Sequence, residues 1–83
     1  MGMTPIEIFE YKKRWQRAGG YAVRLHSDLR SQGTEYCKVQ MFKHQWDLQI
    51  YTNVYEDTFY FEYKQDSDAF RINFGKFADQ EAI

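Results

Sequence analysis

Three short runs in which apolar and polar side chains alternate, residues 21–26, 46–52 and 58–64, constrain this chain more than any other feature. A period of two places alternate side chains on opposite faces of a strand. In one phase the runs carry Tyr21, Val23 and Leu25, then Trp46, Leu48 and Ile50, then Phe59, Phe61 and Tyr63. In the other they carry Ala22, Arg24 and His26, then Asp47, Gln49 and Tyr51, then Thr58, Tyr60 and Glu62. A sheet built this way must bury its first face, while its second can meet water or a partner. Residues 53–57 have the length of a hairpin loop between the second and third strands.

The segments around these strands carry helical signals. Thr4-Pro5-Ile6-Glu7 is a capping box: the Thr4 hydroxyl accepts from the Glu7 N–H, and the Glu7 carboxylate reaches back to the Thr4 N–H. Pro5, the one proline, falls at the first helical position, where its missing N–H costs nothing. Ile8, Tyr11, Trp15 and Ala18 form a stripe, and Gly19-Gly20 stops the helix, predicted over 5–18. Ser27-Asp28 supplies an N-cap and an acidic first turn for a second helix reaching about residue 42, with Leu29, Cys37 and Met41 on one face and Tyr36 beside them. Gly33 weakens that helix by ~1 kcal/mol relative to Ala, so a late start or a bend is expected. Asp66-Ser67-Asp68 caps a third helix with Phe70, Phe74 and Phe77 on one stripe, and 79–83 reads as a frayed tail.

A helical return makes strands 1 and 2 parallel, and the hairpin sets strand 3 antiparallel to strand 2. A right-handed crossover leaves strand 3 between them. The expected fold is therefore α+β: an N-terminal helix followed by a split βαββα core with a three-stranded sheet of order 1-3-2, ferredoxin-like but lacking one strand. Helices 2 and 3 should cover the aromatic face. Eighty-three residues suit one compact domain over 1–83. Two Trp, seven Tyr and seven Phe supply its core, since each buried ring removes about 150–250 Å² from water.

The formal charge is −1, so no global basic footprint for nucleic acid is present. The halves differ: residues 1–45 hold eight Lys/Arg against four Asp/Glu, and residues 46–83 hold three against eight. That asymmetry marks either a basic patch or internal pairing of the halves. The single cysteine, Cys37, suits a reducing compartment. No apolar run approaches the ~18 residues of a membrane span, and the N-terminus has neither a signal-peptide pattern nor a myristoylation pattern. A cytoplasmic setting with no membrane association is expected.

Few residues suggest chemistry. His26-Ser27-Asp28 could offer metal ligands or a base and nucleophile, but a third ligand and the glycines of a nucleophile turn are missing. A strand-end histidine followed by a helix cap explains the trio. Cys37 reads as a small core residue on a helical stripe, and His44 as a surface loop residue. Lys12, Lys13, Arg14 and Arg17, interleaved with Tyr11 and Trp15, have the ingredients of a nucleic-acid contact. An ordinary solvated face with Glu10 pairing to Lys13 or Arg14 accounts for them as well. Tyr51, Tyr60 and Arg24 on the polar sheet face could form a stacking platform. No phosphate-binding glycine loop is present, and no cofactor or metal is expected.

The stretches Arg24-Leu25-His26-Ser27-Asp28, Glu35-Tyr36-Cys37, His44-Gln45-Trp46 and Tyr51 through Phe61 resemble small uncharacterised proteins of T4-like and marine tailed bacteriophages, over roughly residues 6–62. The resemblance implies a phage product working in the cytoplasm of an infected bacterium, where such proteins often bind host machinery; it implies no catalytic role. The expected function is a non-enzymatic interaction protein that binds a host protein or itself through the polar sheet face or helix 1. The candidate partner-binding residues are Arg24, Tyr51, Tyr60, Lys13 and Arg17. The alternative is a nucleic-acid-binding module using the basic helix and the aromatic face. A small enzyme would need His26, Asp28 and His44 to converge.

Overall fold

The computed structural model describes residues 2–50 and 56–80, the last two by their backbone alone. Helix α1 spans Pro5–Arg17, strand β1 Tyr21–His26, helix α2 Arg30–Gln40, strand β2 Trp46–Ile50, strand β3 Glu56–Phe61, helix α3 Lys64–Phe74 and strand β4 Ala78–Gln80. The capping box forms as predicted, with Glu7 N–H donating to the Thr4 hydroxyl at 3.2 Å and Thr4 N–H to the Glu7 carboxylate at 3.0 Å. The bond from the Thr4 N–H, with the Thr4 hydroxyl beside it, holds the Glu7 carboxyl below its ordinary range.

Strand β3 pairs antiparallel with both β1 and β2, Val23 facing Phe59 and Leu48 facing Phe59 from the other side. β1 and β2 are therefore parallel with β3 between them, the predicted 1-3-2 order. The expectation that the sheet stops at three strands is corrected. β4 pairs antiparallel with β1, Arg24 facing Asp79, and the full order is β2-β3-β1-β4. Residues 79 and 80 are thus paired rather than frayed. Without β4 the N–H and C=O groups of β1 on that side would lack strand partners, which explains why so short and polar a segment pairs.

The first sheet face and the inner sides of α2 and α3 make one core. Val23, Leu25, Trp46, Phe59 and Phe61 meet Cys37 from α2, Phe70 from α3 and Ala78 from β4. Phe70 is its hub, with ring centroids 4.8 Å from Phe59, 5.1 Å from Phe61 and 4.7 Å from Phe74. α2 starts late, as expected. The cap differs from the prediction, because a 3-10 turn, Ser27–Leu29, intervenes and His26 caps it by accepting the Asp28 N–H at its Nδ1. α2 then runs unbroken through Gly33, where a Cβ would stand 2.7 Å from Leu25 Cδ2 and 2.8 Å from Phe59 Cζ. The glycine lets the helix approach the sheet.

Other boundaries shift. α2 ends at Gln40, two residues early, with Met41 extended. β3 begins at Glu56 and ends at Phe61, so Asp57 belongs to a strand rather than a loop and Tyr63 lies beyond it. α3 begins at Lys64, with Ser67 inside it, buried and donating to Lys64 O, and Phe77 falls outside the helix and is exposed. Asp57 lies in the aromatic phase of β3 and is fully buried. Its carboxylate survives there because the Arg30 guanidinium grips it with two bonds, Nε to Oδ2 at 2.8 Å and Nη2 to Oδ1 at 3.2 Å.

Candidate interaction surface

The site is built on α1, which docks at the corner where β2 begins and β3 ends. Trp15 is its buried anchor: the indole N–H donates to His44 O at 2.8 Å, and the ring lies against Gly20. Gly20 has φ +56, a left-handed turn that brings the chain back beneath the indole. A turn earlier, the Tyr11 hydroxyl donates to Glu62 Oε2, and that bond pushes the phenol up to about 12. The Tyr11 ring also meets the His44 imidazole edge-on at 5.0 Å, and Phe42 stacks on it at 5.8 Å. His44 is therefore half-buried beneath α1 rather than a surface loop residue.

α1 also reaches the open edge of the sheet. The Glu62 N–H bonds to Gln45 O, which sets the pairing phase and turns the N–H and C=O groups of Trp46, Leu48 and Ile50 toward the unpaired side of β2. Asp47 Oδ1 accepts the outward Leu48 N–H at 3.0 Å. The same carboxylate accepts from Gln16 Nε2 at 2.8 Å and stands 3.6 Å from Lys12 Nζ. Lys12 in turn sits 5.6 Å over the Trp46 ring. Two α1 side chains thus hold an aspartate across the edge where another strand would bond.

The side of α1 turned away from Trp15 is apolar and basic at once. Ile6 is 70% exposed and Phe9 60% exposed. Phe9 joins Pro5 and Ile8 along a groove of roughly 380 Å³ that runs between α1 and the start of β2, and Lys12, Lys13 and Lys43 rim it. Lys13 Nζ lies 5.2 Å over the Phe9 ring. Neither Lys13 nor Lys43 forms an ion pair among the described residues.

The predicted binding residues do not gather at one place. Lys13 lines the groove, while Arg17 is exposed in the last turn of α1 and is not part of the lining. Arg24 lies on the polar sheet face but on β1 and outside the groove lining, its Nε buried without a hydrogen bond among the described residues and 3.7 Å from Glu56 Oε2. Tyr60 is half-buried and already engaged, and Thr58 beside it is buried. Tyr51 lies outside the described residues. His26 and His44 are not brought together: His26 pairs with Glu56 at one end of β3, and His44 precedes Trp46, which pairs with Phe61 at the other. Five residues of strand separate those ends, ~17 Å at the usual rise.

Ile6, Phe9 and Lys43 were not singled out in the sequence. A signal for the first two existed: at i and i+3 they form a second apolar patch, off the Trp15 stripe of the same helix. Lys43 carried none, because only the 3-10 turn Lys43–Gln45 brings it to the groove. Cys37 is fully buried, and burial with Asp66 nearby pushes its thiol up to about 12, the behaviour of a core residue. No helix among the described residues is long and apolar enough to cross a membrane. No family model, no curated protein and no solved structure matches the chain.

Proposed function

We propose that the chain is a small non-enzymatic interaction domain whose binding surface is the outer side of α1. The observation that carries this reading is the contrast between the two sides of that helix. One is spent on docking through Trp15 and Tyr11, and the other presents Ile6 and Phe9 to solvent beside a basic groove. Large exposed apolar side chains within a polar rim are what protein interfaces use. The polar sheet face is the weaker candidate, since Arg24 lies beside Glu56 and Tyr60 is engaged. The same facts weigh against a base-stacking platform for nucleic acid. The β1-α2-β2-β3-α3-β4 order reads as a ferredoxin-like arrangement, with α1 as the added interaction element. The resemblance to small phage proteins supports a partner in the cytoplasm of a bacterial host.

The test is retention of a partner from bacterial lysate, together with sedimentation of the purified chain, for the natural sequence and for Phe9→Asp. A partner or self-association lost in Phe9→Asp, with unchanged circular dichroism, supports the reading. A monomer that retains nothing, or a variant that binds as well as the natural chain, overturns it.

A further inference from the structure

We infer that the groove between α1 and the start of β2 is a binding site for an acidic protein segment carrying a bulky apolar residue, an inference that rests on α1 being the interaction surface. The groove volume of roughly 380 Å³ lies within the ~300–1,000 Å³ range of ligand clefts. Its wall is Pro5, Ile8 and the exposed ring of Phe9, which suits a large aliphatic or aromatic side chain.

The rim sets the charge of the occupant. Lys12, Lys13 and Lys43 surround the groove, and Asp47 is the single carboxylate in its lining. Both Asp47 oxygens are already occupied, Oδ1 by the Leu48 N–H and the nearby Lys12 ammonium, Oδ2 by the Gln16 amide. The groove therefore has little to offer an incoming cation. Lys13 and Lys43 have no ion-pair partner among the described residues, and both meet an incoming carboxylate without breaking an existing pair. Lys13 holds one face of the Phe9 ring. An anchor packed against the rest of that ring would bring its flanking carboxylates beside the lysine.

A nucleic-acid strand fits less well. Proline and isoleucine offer no π face for a base, and Phe9 is the one aromatic ring in the lining. A protein segment satisfies both halves of the site, its apolar residue on the wall and its acids on the rim.

The full 83-residue chain is titrated by fluorescence anisotropy with a labelled short peptide of Asp and Glu around a central Leu-Phe pair. The comparison probes are the same peptide with Lys for its acids, the same peptide with Ala for Leu-Phe, and an oligothymidylate strand. The acidic apolar peptide is expected to bind best, with affinity falling as salt rises. Lys13→Glu with Lys43→Glu should weaken it about tenfold or more, about 1.4 kcal/mol, and Phe9→Ala should weaken it comparably, with melting curves unchanged because these side chains lie at the surface. Failure of the peptide to bind, or equal binding by the charge-reversed variant, overturns the inference. Tighter binding of the oligothymidylate also overturns it, in favour of nucleic acid. A dimer broken by Phe9→Asp and indifferent to the peptide overturns it in favour of a second copy of this chain. If a lysate partner is lost in Phe9→Asp but kept by the charge-reversed variant, this inference fails while the interaction reading stands.

Discussion

Gly33 is where a missing side chain does most for the packing. Elsewhere on a helix, Gly→Ala gains ~1 kcal/mol. Here the new Cβ would stand 2.7 Å from Leu25 Cδ2 and 2.8 Å from Phe59 Cζ, both on fully buried side chains with little room to retreat. Overpacking of this kind costs ~1–3 kcal/mol, so Gly33→Ala should lower the melting temperature by about 5 °C or more. A rise in Tm by circular dichroism would sink that account. Two other residues link stability to pH. Burial, with Asp66 nearby, raises the Cys37 thiol from 9.0 to about 12, and the Glu62 hydrogen bond raises the Tyr11 phenol from 10.0 to about 12. Both groups hold their protons more tightly folded than unfolded, so their stabilisation is complete below about pH 9 and is lost as pH rises toward 12. Denaturant midpoints should be flat up to pH 9 on this account and then fall. Tyr11→Phe should make the part above pH 10 shallower, and an unchanged slope would remove Tyr11 from the explanation.

At the scale of elements, α1 is a guard on the β2 edge as well as the proposed binding surface. The outward Leu48 N–H is a ready bonding point for a foreign strand, and Asp47 occupies it while Lys12 and Gln16 hold Asp47 in place. Asp47→Ala should therefore raise self-association above that of the natural chain at equal concentration, read by light scattering. Equal scattering would mean that the edge is protected in another way. The attachment of α1 itself depends heavily on Trp15. Trp15→Phe should cost about 1 kcal/mol through the lost bond to His44 O. Trp15→Ala should cost about 3–5 kcal/mol because it also empties the site under the helix. Comparable costs for the two would show that ring volume contributes little there.

For the whole molecule, stability depends on closing the sheet at both sides. A domain this size has only ~4–12 kcal/mol to lose. β4 joins the chain's end to β1, Arg24 facing Asp79, and Ala78 is buried in the core. Truncation after Phe77 should thus lower Tm by roughly 10 °C or more and expose the β1 edge to aggregation. A truncated chain that melts like the natural one would restore the frayed-tail reading.

Short-range chemistry was legible without coordinates. The start of α1 could be read because Thr4, Pro5 and Glu7 act within one turn. The strands and their 1-3-2 order could be read because alternation and connection lengths leave few alternatives. What escaped depends on partners distant in sequence. Asp57 looked like a loop residue because its burial needs Arg30, 27 positions away. β4 looked like a tail because three polar-ended residues carry no periodicity, and only the unpaired edge of β1 makes them a strand. The place of α1 was undecided because Trp15 finds its acceptor on His44, and Gln16 and Lys12 find theirs on Asp47, across the whole of β1 and α2. The candidate site followed from that placement: Lys13 was visible as a charge, but its groove exists only where the helix meets the start of β2. Periodicity and capping determined the elements, and the tertiary structure decided which side of the first helix was left exposed to solvent.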